Sequence, residues 1–238
     1  SDVRSNSSGH CYLEFVQKDT GGNHLIAKAR GTIWSNIFKM LKPYFEQETG
    51  QQFASGIKVL VQVSVEFHEL YGYSLTVLDI DPTYTLGDMA RRRREIILRL
   101  EEEGVLTMNK ELDMPLAPQR IAVISSATAA GYGDFCDQLR NNPYGLSFQT
   151  KLFPAIMQGE RVEESIISAL ESVYQELDEW DVVVLIRGGG ATSDLSGFDT
   201  YNLAANCAQF PLPIVTGIGH ERDETVLDIV AHTRVKTP

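Results

Sequence analysis

A chain of 238 residues, 43% hydrophobic and 22% charged, has the composition of an ordinary globular protein and the length of one large domain or two small ones. No stretch approaches the ~18 consecutive apolar residues of a membrane span, and Ser1-Asp2-Val3-Arg4 shows no charged-then-apolar leader, so a cytoplasmic location without a membrane partner is expected. Three widely spaced cysteines, Cys11, Cys136 and Cys207, support neither a disulfide framework nor a zinc site.

The net charge of −11 argues by itself against a phosphate-binding surface, but its distribution matters more. Residues 1–86 hold 7 basic and 9 acidic side chains, residues 87–118 hold 6 and 7, and residues 119–238 hold 8 and 16, so the last segment carries −8 of the −11. Seven of its acids lie between Glu163 and Asp181 with no basic residue among them, which reads as the solvated face of one helix.

Residues 1–86 read as a β domain. Residues 11–17 and 25–30 form a hairpin around Asp19-Thr20-Gly21-Gly22-Asn23, and β-formers continue through residues 32–38. Met40, Leu41, Tyr44 and Phe45 then recur at helical spacing before Gly50. From Ile57 to Phe67 the odd positions are apolar, predicting a strand with one buried face, and residues 73–80 complete a second hairpin. Three strands, a helix and two strands make the plan of an OB-fold barrel, with a first strand that only Val3–Ser5 could supply and that is expected to be truncated. Such barrels stack single-stranded bases on aromatics, and Tyr12, Phe15, Trp34, Phe67 and Tyr73 are available, although each could equally fill the barrel core.

A helical connector and linker occupies residues 87–118. Asp88 can cap it, Ile96, Ile97 and Leu100 give it an apolar stripe, Gly104 can end it, and Met114-Pro115-Leu116-Ala117-Pro118 is a stiff boundary. Its Arg91-Arg92-Arg93-Arg94 run is either a solvated face or a set of phosphate contacts.

Residues 119–238 alternate apolar runs with helical patterns. Strands are expected at 120–125, 146–153, 181–186 and 213–216, and helices at 134–141, 162–177, 198–209 and 223–230. That alternation implies a doubly wound parallel α/β sheet, whose ligands bind beyond the carboxyl ends of the strands. Three polar clusters fall on that edge: Ser126 and Thr128 with Asp134 after the first strand, Arg187-Gly188-Gly189-Gly190 after the third, and Gly219-His220-Glu221-Arg222-Asp223 after the fourth. The glycines let backbone amides approach an anion or simply make a tight turn. Arg187 suits a phosphate or a structural ion pair, and Asp134 can orient a water, bind a metal or cap its helix. His220, with Asp223 three residues on, suits proton transfer. Asp, Arg, His and Asp around a phosphate-sized hollow fit phosphodiester hydrolysis.

These motifs together resemble the exodeoxyribonuclease VII large-subunit family. The resemblance rests on Ser126-Ala127-Thr128-Ala129-Ala130 with Asp134, on Arg187-Gly188-Gly189-Gly190 with Asp194-Leu195, and on Gly219-His220-Glu221-Arg222-Asp223 with Thr225. Gly9-His10-Cys11-Tyr12 is similar to the start of that family's OB domain. The resemblance implies a nuclease that degrades single-stranded DNA from both ends into short oligonucleotides, with Asp134, Arg187, His220 and Asp223 catalytic. Ser126, Thr128 and Gly188–Gly190 would hold phosphate, and Tyr12, Trp34, Arg91 and Arg92 would contact DNA. It implies a small helical partner subunit in several copies and no obligatory cofactor, Mg2+ being admitted; no metal-ligand spacing is visible in the sequence. The family carries glycine where this chain has Ala129, which predicts a tighter loop after the first α/β strand. It also continues past the position of Pro238 with a long helical region, so the chain is expected to act weakly on its own. Two other functions compete: a non-catalytic single-strand-binding scaffold, and a phosphometabolite-binding enzyme, which the lack of a Gly-rich fingerprint after the first α/β strand disfavours.

Overall fold

The computed structural model describes residues 2–18, 24–69, 72–188, 195–219 and 224–235, without the side chains of Lys18 and His68. His220, Asp223, Gly189 and Gly190 lie outside the described residues, as do the predicted turn at residues 19–23 and Asp194. The chain divides into two compact units, Ser1–Arg91 and Arg92–Pro238.

In the first unit, β1 (Asp2–Ser5), β2 (Cys11–Lys18), β3 (Leu25–Ile33), β4 (Leu60–His68) and β5 (Gly72–Asp81) form one sheet in the order β1-β2-β3-β5-β4. Helix α1 (Ser35–Thr49) falls between β3 and β4, as the sequence predicts. The β3–β5 pair is parallel and the others antiparallel, which is the OB strand order. β1 is four residues long and pairs with β2 along its whole length. β1 and β4 stand at the two ends of the order, and among the described residues no ladder joins them, so a closed barrel is not formed by backbone pairing.

Alternation sets the inner face. Cys11, Leu13, Ile33, Val77 and Ile80 are buried against Leu41 and Phe45 of α1 and against Phe53, whose ring meets Phe45 edge-on at 5.4 Å. Phe15 joins this core: its ring covers Gly31 of β3 so closely that a Cβ there would meet it at 2.4 Å. The odd-numbered face of β4 behaves as predicted only through Val63, because Val65 and Phe67 run past the end of the core and are 62% and 65% exposed.

Helix α2 (Pro82–Glu102) starts earlier than its sequence suggests. Asp81 accepts hydrogen bonds from the Thr83 amide and hydroxyl, and Pro82 takes the first helical position, where its missing N–H has no cost. Asp88 is therefore inside the helix; it does not cap it, and it pairs with Arg91 and Lys58. Gly104 ends the helix at φ 70° as expected.

The second unit carries a five-stranded, all-parallel sheet in the order β10-β9-β8-β6-β7. Its strands are β6 (Arg120–Ser125), β7 (Gln149–Pro154), β8 (Val182–Ile186), β9 (Ile214–Gly217) and the two-residue β10 (Thr233–Arg234). β6 and β8 are buried almost end to end, since helices cover both faces of the sheet. Ile121, Val123, Val182, Val184 and Ile186 pack against Tyr132, Phe135 and Leu139 of α3 (Ala130–Arg140). Ala122, Ile124, Val183 and Leu185 pack on the other face with α4 (Val162–Tyr174), α5 (Tyr201–Ala208) and α6 (Val226–Val230). The chain leaves β6 for β7 on one side and returns to β8 on the other, so the topological switch point lies between β6 and β8.

The run of acids after Glu163 is not one solvated helix face. α4 ends at Tyr174; Glu176 pairs with Lys151 of β7, and Asp181 takes the guanidinium and backbone amide of Arg120. Asparagine 109 supplies a second tie: its amide donates to the Phe210 and Leu212 carbonyls while its oxygen accepts from the Ile214 and His232 amides.

Candidate active site at the switch point

The carboxyl ends of β6, β7 and β8 are pinned together before they diverge. Ser125, at the end of β6, donates its hydroxyl to the Ile186 carbonyl of β8 at 2.8 Å. Its own carbonyl accepts from Ala155, just past β7, at 2.9 Å. The loops that leave these ends enclose a hollow of about 440 Å³ lined by Ser126, Thr128, Ala129, Ala130, Ile156, Gln158 and Gly188, among others.

Three of the residues expected to hold phosphate, Ser126, Thr128 and Gly188, therefore share one hollow. Ser126 Oγ and Thr128 Oγ1 are 3.1 Å apart, two hydroxyls at the mouth of α3. The N-cap of α3 is Ala129, where no side-chain cap hydrogen bond is formed, and Ala129 and Ala130 line the hollow, which places the N-terminus of α3 at its wall. First-turn amides at the positive end of a helix dipole favour an anion. A Cβ on Gly188 would come within 2.7 Å of the Ala129 Cβ and 3.0 Å of its Cα. The backbone after β8 approaches the start of α3 this closely because position 188 has no side chain.

Arg187 follows β8 and is 5% exposed; its amide donates to the Gly217 carbonyl, tying the ends of β8 and β9. Asp134 stands in the second turn of α3 and is exposed. It cannot be the helix cap, because α3 begins four residues before it, and it is not among the residues lining the hollow. His220 and Asp223, on the segment after β9, lie outside the described residues. Among the described residues, no group of three or more His, Cys, Asp or Glu side chains is placed to hold a metal ion. Sequence reasoning missed the start of the loop after β7, with Ile156 and Gln158, because residues 155–158 carry no charged or nucleophilic side chain; only strand order reveals that β7 borders β6.

In the first unit four exposed aromatics lie on or next to strand ends, while Tyr44 and Tyr84 are exposed on helices. Tyr12, on β2, is 46% exposed, and Trp34, just past β3, is 45% exposed. The His10 ring meets Trp34 edge-on at 5.1 Å, and His10 Nδ1 accepts the Ser35 amide at 3.1 Å, capping α1 in place of the missing local cap. Phe67 and Tyr73, paired across β4 and β5 with ring centroids 5.0 Å apart, are 65% and 74% exposed. The arginine run is largely engaged: Arg91 pairs with Asp88, and Arg93 with Asp199. Arg92 is exposed on α2.

Residues 105–238 match the family described as "Exonuclease VII, large subunit", and residues 1–81 match "OB-fold nucleic acid binding domain". The chain belongs to the exonuclease VII large-subunit family. Its relatives include proteins named exodeoxyribonuclease 7 large subunit from Deinococcus radiodurans, 38% identical over 96% of this chain and 56% of the relative, and from Nostoc sp., 32% identical over 100% and 54%. The corresponding protein of Lactobacillus delbrueckii subsp. bulgaricus is 31% identical over 100% of this chain and 48% of the relative. The chain thus spans about half the length of the curated relatives it matches. Among the described residues, no helix is long and apolar enough to cross a membrane.

Proposed function

We propose that this chain is the DNA-binding and catalytic part of a single-strand-specific exodeoxyribonuclease that releases short oligonucleotides from both ends, working in the cytoplasm. In this reading residues 1–86 are an OB barrel that holds the strand, residues 87–118 connect, and residues 119–238 cut it. The observation that carries the proposal is the hollow at the β6–β8 switch point, lined by Ser126, Thr128, Gly188 and the start of α3.

The chemistry follows from the residues. A phosphodiester in the hollow is received by the hydroxyls, the α3 amides and the backbone at Gly188–Gly190, with the Arg187 guanidinium offsetting charge that builds on the phosphoryl oxygens. A water attacks phosphorus as the bond to one ester oxygen breaks. His220 takes the water's proton or supplies one to the leaving oxygen, Asp223 holds the imidazole, and Asp134 orients the water. The route assigns no step to a metal, so chelation with EDTA is expected to leave cleavage within about twofold. Tyr12 and Trp34 stack bases, and Arg91 and Arg92 approach the backbone. A small helical subunit in several copies completes the enzyme.

The test is His220→Ala in the complete enzyme. Cleavage of a single-stranded oligonucleotide should fall about 10²–10⁴-fold while its binding survives. Cleavage at the wild-type rate would remove His220 from the mechanism.

A further inference from the structure

The hollow at the switch point has one wall that the phosphate chemistry leaves unused. The strand order β8-β6-β7 puts Gly188 on one side of the loop after β6 and residues 155–158 on the other. Along that second side exposure alternates. Ala155 and Met157 are buried in the core that α4 covers, while Ile156 and Gln158 are exposed at the wall of the hollow. Backbone bonds fix this stretch: the Ala155 amide donates to the Ser125 carbonyl at 2.9 Å, and the Ile156 amide donates to Ser165 Oγ of α4 at 2.8 Å. The chain turns immediately afterwards at Gly159, φ 81°, a conformation that glycine adopts without strain. The wall therefore begins and ends at positions set by the sequence.

A hollow of about 440 Å³ has the size of a small-molecule site, ~300–1,000 Å³, and exceeds what a single phosphate group fills. Its β7 side is uncharged: an aliphatic side chain, Ile156, 38% exposed, and the neutral amide of Gln158. Ile156 has no hydrogen bond to offer a phosphate, and an apolar side chain at a polar rim gains by covering an apolar face. An amide presents a donor and an acceptor together. By turning over it matches the hydrogen-bonding edge of any base, which suits sequence-tolerant cleavage. We infer that the β7 side of the hollow is a nucleoside subsite, in which Ile156 packs on the base next to the scissile phosphate and Gln158 hydrogen-bonds its edge. This rests on the proposed nuclease reading and extends it from the phosphate to the nucleotide that carries it. Holding the base fixes the direction in which the phosphodiester crosses the hollow.

The experiment compares Ile156→Ala, Gln158→Ala and Gln158→Glu in the complete enzyme, beside Gly188→Val. Two substrates are used: a single-stranded DNA oligonucleotide, and the same strand with a run of abasic tetrahydrofuran nucleotides. The readout is kcat/KM of each variant relative to wild type on the same substrate. Ile156→Ala and Gln158→Ala are each expected to lower kcat/KM about 3- to 10-fold on the ordinary strand. On the abasic run, where the base they contact is missing, each should come within about twofold of wild type. Gln158→Glu sets a negative charge beside the phosphate and should fall about 10-fold below Gln158→Ala on both substrates. A merely structural role would give Ile156→Ala and Gln158→Ala equal losses on the two substrates, and that result overturns the inference. So does wild-type cleavage of both substrates by these variants, or a Gln158→Glu variant no worse than Gln158→Ala. If Gly188→Val loses cleavage of the ordinary strand while the Ile156 and Gln158 variants do not, the nucleoside subsite alone falls. If Gly188→Val cleaves like wild type, the hollow does not hold the phosphate, and the nuclease reading of this site falls with the inference.

Discussion

The two units solve different problems with their exposed surface. The first buries a small core and leaves large rings outside: Tyr12, Trp34, Phe67 and Tyr73 all stand at least 45% exposed. The second covers its sheet on both faces and concentrates polarity at the strand ends, in hydroxyls, the start of α3 and the side-chain-free Gly188. Exposed rings suit sequence-tolerant stacking, whereas a small hollow lined by hydroxyls suits one charged group held in one orientation. On the proposed function, the contrast predicts that capture of the strand and chemistry on it can be impaired separately.

The largest expected effect on stability separates the cores. Phe45→Ala, in the fully buried aromatic cluster of the first unit, should cost about 3–5 kcal/mol, and Leu185→Ala in β8 about 2–5 kcal/mol. Calorimetry of the segment should show each substitution lowering a different transition; a single shared shift would contradict two independently cored units. Next comes Gly188→Val. Its side chain must displace Ala129, so cleavage should fall about 100-fold while oligonucleotide binding stays within about twofold. Equal losses in both assays would break the comparison. Trp34→Ala is the mirror test: binding should weaken by about 1–3 kcal/mol, with the rate at saturating DNA unchanged.

The smallest effect is acid sensitivity. The Arg120 guanidinium holds the Asp181 carboxyl below the usual carboxylate range. The pair therefore stabilises the second unit above the ordinary carboxylate pKa of about 4 and is lost as acid protonates Asp181 below it. Asp181→Asn should lower the melting temperature near neutrality, with the gap to wild type closing as the pH falls below about 4, so that the acid limb is flatter. An unaltered acid limb would mean that other carboxylates dominate.

Legibility differed for the same physical reasons. β6 and β8 declare themselves as unbroken apolar runs because helices cover both faces, and a parallel sheet then follows from alternation with helices, although its strand order does not. β4 was readable only up to Val63, since alternation continues in the chain after the core it serves has ended. The start of α3 was hidden because Ala129 offers no capping side chain, so the sequence pointed to Asp134 instead. Asp81-Pro82 carried the true start of α2, but the apolar β run up to Ile80 masked it. The ties from Glu176 to Lys151 and from Asp181 to Arg120 join residues 25 and 61 positions apart, invisible to any local pattern. The bond from the Thr216 hydroxyl to Asp228 was likewise out of reach: a carboxylate three residues after Thr225 reads as a cap, and its link to Thr216 exists only once β9 and α6 are folded.

The most direct test of the central claim is a crystal structure of the complete enzyme carrying a cleavage-resistant single-stranded oligonucleotide. The account predicts one phosphate seated in the hollow beyond β6 and β8, within hydrogen-bond reach of Arg187 and His220 and beside Ser126 and Thr128. An oligonucleotide whose backbone bypasses that hollow, with the imidazole and guanidinium facing different regions, would contradict it.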